Sequence, residues 1–150
     1  MWHRASYIFV YDQLKRILVQ KRSMKKDYCP GYYDLANGGV VGGDETDEEN
    51  AARELEEEIG ITGIEMKVLK HVKYEDSDNR VWGSIFAVEF KGNHLDLKLQ
   101  EAEVDAVEVW TLEEAKAKIE ASKNPEVTGV RVTPDGILAF QEFLKLGYLS

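Results

Sequence analysis

The sequence predicts a mixed α/β (α+β) domain, with a mixed β-sheet sandwiched between α-helices. Three observations lead there. Apolar runs of strand length alternate with amphipathic runs of helix length, without internal repeats or low-complexity linkers. A glycine-rich loop near the middle of the chain feeds directly into a capped helix. The length of 150 residues, with 43% hydrophobic and 31% charged side chains, suits a single domain over residues 1–150 that buries one substantial core.

Taken in order, residues 6–10 (SYIFV) and 16–20 (RILVQ) are strand-length runs joined by the polar turn 11–15. Residues 21–33 form a basic, aromatic loop containing the turn signal Pro30-Gly31. Further strands are expected near 35–41, 65–73, 81–91 and 106–110, with DSDNR at 76–80 as a polar turn. A helix is placed at about 47–59. Thr46 and Glu49 have the spacing of a capping box, Asp47, Glu48 and Glu49 suit the dipole of the first turn, and Gly60 is a natural C-terminal stop. Ala52, Leu55 and Ile59 are its expected apolar stripe. Residues 111–121 predict a short helix with Leu112, Ala115 and Ile119 inward. Thr133-Pro134-Asp135 starts a last one, whose apolar face is Ile137, Phe140, Phe143 and Leu144.

Chemistry concentrates in residues 39–61, GVVGGDETDEENAARELEEEIGI. On a helix, Glu54 lies three residues from Glu57 and four from Glu58, so three carboxylates project from one face. Arg53 precedes Glu57 by four and can fix its direction, and Glu49 precedes Arg53 by four and is expected to hold its other side. Three crowded carboxylates repel unless a cation joins them. Mg²⁺ fits, because it takes oxygen ligands and bridges carboxylates to substrate phosphates. The glycine-rich loop can add a backbone carbonyl and let a pyrophosphate approach closely, making Gly39 a substrate-binding candidate. The pattern points to metal-assisted displacement at phosphorus. An isolated ELEEE run would instead suit a solvated helix face. The preceding glycines, with Glu45 and Arg53 at their distances, distinguish this one.

The pattern Gly-x5-Glu-x7-Arg-Glu-Leu-x-Glu-Glu-x-Gly-Ile resembles the Nudix box at every fixed position. The resemblance implies the Nudix fold and hydrolysis of nucleoside diphosphates linked to another group. It implies that Glu54, Glu57 and Glu58 are metal-binding carboxylates, with the Gly38 carbonyl a further ligand. It makes Arg53 an orienting partner and Glu45 the organiser of the loop. Which carboxylate acts as general base is left open. The flanks, HRASYIFVYD, ILVQKRS and KKDYCPGYYDLANGG, resemble the branch containing isopentenyl-diphosphate isomerase and its hydrolase relatives. That isomerase places a cysteine just before the box glycine and a histidine just after it. Here those positions are Gly38 and Val40. His3 matches a metal-ligand histidine of the isomerase but lacks its partner, and is expected to be a substrate contact or a surface residue.

Arg22 and Lys25 match diphosphate-binding basic positions of that branch, and Lys26 is the weaker neighbour. Glu103, chosen over Glu101, is the candidate for an extra metal carboxylate. Tyr28, Tyr32, Tyr33 and Trp82 could stack a base, though aromatics beside strands more often pack. His71 and His94 are expected to be structural. The single cysteine, Cys29, excludes an internal disulfide and is expected to be inert. A net charge of −9 argues against a general nucleic-acid binder. No stretch approaches the roughly 20 apolar residues of a membrane span, and MWHRAS is unlike a signal peptide, so a cytoplasmic setting is expected. The resulting expectation is a Mg²⁺-dependent hydrolase, with Mn²⁺ as substitute, acting on a small-molecule diphosphate. The alternatives are isopentenyl-diphosphate isomerase-type activity and a non-catalytic nucleotide-binding regulator. The physiological substrate and the oligomeric state are not legible.

Overall fold

In the computed structural model, residues 2–150 are described. The strands are β1 (His3–Tyr11), β2 (Ile17–Arg22), β3 (Tyr33–Asp34), β4 (Lys70–Glu75), β5 (Arg80–Glu89) and β6 (Val104–Trp110). The helices are α1 (Asp47–Ile59), α2 (Leu112–Ser122), the short α3 (Pro125–Thr128) and α4 (Pro134–Leu144). All six strands form one sheet. β1 runs parallel to β5, and the other strand pairs are antiparallel.

Alternating residues explain how the sheet is covered on both faces. Tyr7 and Phe9 of β1 join Ile85, Trp110, Phe140 and Phe143 in the core beneath α4. Ile8 and Val10, pointing the other way, join Leu18, Phe86, Ala51, Leu55 and Ile59 beneath α1. A strand buried on both faces reads as an unbroken apolar run, which is why YIFV shows no alternation.

The region that positions the site is a split in the sheet. β6 pairs with β2 from Ile17 to Arg22 and so occupies one edge of that strand. β1 and β3 share the other edge: β1 touches it through the Tyr11–Ile17 pair, and β3 through Gln20–Asp34 and Lys21–Tyr33. The chain leaving β3 then crosses to β1, where Asn37 and Ile8 exchange backbone hydrogen bonds of 2.7 and 2.8 Å. The Ser6 N–H donates to the Gly39 carbonyl at 2.9 Å.

This geometry corrects the expectation of a strand over 35–41. The segment makes only isolated bridges, Ala5–Val40 and Ile8–Asn37, because it leaves one strand for another rather than following either. The strand expected at 65–73 runs instead from Lys70 to Glu75, and α3 had no counterpart in the expectations. Helix α1 has the expected bounds and both halves of the capping box, with Gly60 left-handed after it. Its apolar stripe is Ala51, Leu55 and Ile59, an i,i+4 series, whereas Ala52 is exposed. Among the described residues, no helix is long and apolar enough to cross a membrane.

Candidate active site

Helix α1 lays its acidic face against the 37–45 loop, and Arg53 ties the two together. Its Nε and one terminal nitrogen grip Glu45 at 2.6 and 3.0 Å, a bidentate pair. Its other terminal nitrogen lies 3.1 Å from Glu57 and 3.3 Å from Glu54. Glu45 also accepts from the Gly42 N–H and from Asn50 Nδ2, both at 3.1 Å. With Arg53 the largest influence, the Glu45 carboxyl is held down at about 2. Glu49 does not hold Arg53 as expected: its carboxylate accepts the Thr46 N–H at 3.0 Å, closing the helix cap. The cap claims Glu49, and Glu45 replaces it.

Asn50, which no spacing rule had singled out, is fully buried at the base of the loop. Its Nδ2 donates to the Val40 carbonyl at 3.0 Å, and its Oδ1 accepts from Ser6 Oγ at 2.6 Å. Arg4 reinforces the same corner, donating to Asp47 at 2.7 Å and to the Glu45 carbonyl at 3.2 Å.

The two glycines permit the close approach of loop and helix. Gly38 has φ +131°, and a Cβ there would lie 2.2 Å from the Ser6 carbonyl oxygen. A Cβ on Gly39 would meet the Glu54 carboxyl carbon at 2.9 Å. The Gly38 N–H donates to Glu58 Oε1 at 2.9 Å. Glu58 is 7% exposed, and burial, followed by the nearby Glu54 charge, pushes its carboxyl up to about 8 against the lowering influence of that N–H. Glu54 is raised for the same first reason, partly offset by Arg53, with Glu57 and Glu103 adding repulsion.

Above this face opens a cleft of about 890 Å³. Gly38, Gly39, Glu54, Glu57, Glu58 and Glu103 line one part, and Arg22, Lys25, Lys26 and His3 also border it. Glu101 is exposed and is not among the lining residues. Lys26 is ion-paired with Glu103 rather than freely solvated. Arg22 is engaged already, donating to the Tyr28 carbonyl at 3.1 Å and to Asp34 at 3.2 Å. Lys25 is exposed at the rim.

Sequence reasoning passed over another part of the cleft. Asp135, at the start of α4, accepts the Tyr7 hydroxyl at 2.9 Å and the Tyr28 hydroxyl at 3.3 Å. Asp34 accepts from Arg22 and from Thr133 Oγ1, and burial followed by Asp135 raises its carboxyl. The available signals were the Asp of the segment before the box and the Thr-Pro-Asp helix start, each legible only as local structure. Among the candidate aromatics, Tyr33 packs edge-on against Trp110 at 5.0 Å. Trp82 is half-exposed beside Trp2, with Lys73 over both rings. Burial pushes the Cys29 thiol up, away from the reactive thiolate. His71 meets Ser84 at 3.2 Å. Among the described residues, no three Asp, Glu, His or Cys side chains already converge as a closed metal-ligand set.

Comparison with known proteins adds a second line. A family model described as NUDIX domain matches residues 1–129. The uncharacterized Nudix hydrolase YfcD of Escherichia coli (strain K12) is 39% identical over 143 residues, covering 95% of this chain and 72% of YfcD. Among solved structures, the MutT protein of Methanosarcina mazei Go1 superposes with a TM-score of 0.73 at 23% identity, covering 98% and 96% of the two chains. The NUDIX domain of Shewanella oneidensis NrtR, solved with ADP ribose, superposes with a TM-score of 0.65 at 18% identity, covering 97% and 88%. At these identities the structural matches establish the fold alone.

Proposed function

Because this chain belongs to the Nudix family and is a hydrolase of diphosphate bonds, we propose that it uses Mg²⁺ held by Glu54, Glu57 and Glu58 to cleave a nucleoside diphosphate derivative. The observation carrying this is the set of three carboxylates on the cleft side of α1, directly beneath the Gly38–Gly39 loop. The donor set fits a hard divalent cation. It is all oxygen, and its three carboxyl groups outnumber the single guanidinium, Arg53, that reaches Glu54 and Glu57. The Gly38 carbonyl and Glu103 are further proposed ligands. Bound there, Mg²⁺ supplies positive charge against the phosphoryl oxygens and acidifies the attacking water.

The remaining work falls to the protein's own groups. Arg53 orients Glu57 and, through Glu45, fixes the loop against the helix. Gly39 brings backbone close to the Glu54 carboxylate, so the diphosphate can lie against the loop. Lys25 and Arg22 border the cleft and address the diphosphate charge. The products are two phosphate-bearing fragments. Against isomerisation stand Gly38 and Val40, which offer neither thiol nor imidazole, and Cys29, whose thiol is raised by burial.

The test is a panel of nucleoside diphosphate derivatives and isopentenyl diphosphate, with Mg²⁺ or with chelator, for the wild type and for Glu57→Gln. Mg²⁺-dependent cleavage that falls by orders of magnitude in the variant is expected. Full metal-dependent turnover in Glu57→Gln would overturn the ligand assignment, and isomerisation without cleavage would overturn the reaction.

A further inference from the structure

We infer that Gln20, on β2 and outside the glutamate helix, is a positioning residue that aims the Glu58 carboxylate into the cleft and so sets how tightly the site holds its cation. The inference rests on the ligand role proposed for Glu58. Gln20 is 3% exposed and follows Ile17, Leu18 and Val19, all buried in the sheet. An amide at such a position is costly unless its hydrogen bonds are made. Its Nε2 makes two, to Asn37 Oδ1 and to Glu58 Oε1, the latter at 3.3 Å. The second bond crosses from the sheet to α1.

Asn37 gives the amide a rigid base. It is 1% exposed and held to Ile8 of β1 by backbone bonds in both directions. Gln20 is thereby held between the 37–45 loop and the helix. Gly38 N–H donates to the same Glu58 oxygen, so among the described residues both hydrogen bonds of this carboxylate end on Oε1. Oε2 is left as the oxygen to offer a cation, in a residue that lines the cleft.

The choice of an amide matters chemically. A lysine or arginine at position 20 would neutralise Glu58 and compete with a metal ion. Glutamine instead donates a hydrogen bond and fixes the orientation without adding a positive charge that would compete with the ion. Partners of this kind, one step behind the ligands, typically change metal affinity by about 10–100-fold when removed.

The experiment compares wild type, Gln20→Met and Glu58→Gln. Mn²⁺ binding is followed by electron paramagnetic resonance, Mg²⁺ affinity by competition, and turnover as a function of Mg²⁺. Gln20→Met keeps the side-chain volume and removes the donor. It should raise the Mn²⁺ dissociation constant about 10-fold or more, with turnover largely recovered at saturating Mg²⁺. A purely structural Gln20 would lower the melting temperature and leave the affinity of the folded protein unchanged, which overturns the inference while Glu58→Gln still weakens binding. Unchanged binding in Glu58→Gln overturns the ligand assignment itself, and the inference with it. Should Gln20→Met not fold, the Gln20 side-chain amide resonance of ¹⁵N-labelled wild type provides the measurement. It should shift on Mg²⁺ titration with the same midpoint as activity, and a resonance that does not move overturns the inference.

Discussion

Replacing Gly38 by alanine tests the geometry of the split sheet most directly. The residue sits at φ +131°, and its new Cβ would lie 2.2 Å from the Ser6 carbonyl oxygen and 2.9 Å from the carbonyl carbon. Both atoms are backbone, so no flexible side chain can move aside. Holding a non-glycine residue in such a conformation costs about 1–3 kcal/mol. Relieving the clash pushes the loop off β1 and strains the 2.9 Å bond from the Ser6 N–H to the Gly39 carbonyl, about 1 kcal/mol more. The sum, about 2–4 kcal/mol, corresponds to a melting temperature lowered by roughly 4–16 °C in a domain of this size. Gly43 is the internal control, since a Cβ there meets nothing within 4 Å. Gly43→Ala should be neutral or stabilising by up to about 1 kcal/mol. Thermal melting and urea titration of the two variants measure the difference. A Gly38→Ala protein that melts within about a degree of Gly43→Ala, against the clash-derived magnitude, would refute the close packing of this loop on β1.

Acid should expose the Glu45–Arg53 clamp. A carboxyl depressed to about 2 stabilises the fold above its ordinary value near 4.5 and loses that contribution as pH falls toward 2. Melting curves between pH 2 and 6 should therefore fall more steeply for wild type than for Glu45→Gln, and parallel curves would exclude the clamp. Glu58 has the opposite sign: a carboxyl raised to about 8 is disfavoured in its charged form, so its contribution is complete below about 4.5 and declines as pH rises through 8. In chelator, wild type should lose more stability than Glu58→Gln between pH 5 and 8. Added Mg²⁺ should raise the wild-type melting temperature and leave that variant's nearly unchanged. Leu55, 1% exposed on the inner face of α1, should cost about 2–5 kcal/mol on replacement by alanine, read from the urea midpoint.

Much of the fold and part of the site are legible in the sequence because they depend on near neighbours. Thr46 and Glu49 cap α1 through contacts three residues apart, and Gly60 ends it through a local backbone conformation. Arg53 reaches Glu57 four residues on for the same reason. The misassigned features sit where two local solutions compete or where pairing decides. Glu49 could serve the cap or Arg53, and the cap took it. Ala51 and Ala52 are equally apolar neighbours, and only the packing of α1 on β1 selected Ala51. Residues 35–41 have a strand's composition, yet their partners are set by the splay of β1 from β2.

By itself, then, the sequence determined a capped acidic helix, its glycine loop and the family to which both belong. These rest on helical geometry and on turn chemistry within a few residues. Only the tertiary structure decided that Gln20 faces Glu58, that Asn50 anchors the loop, and that Asp34 and Asp135 meet beside the same cleft. Those contacts join segments distant along the chain. Their partners follow from how the sheet splits and which faces its helices cover, which no local spacing encodes.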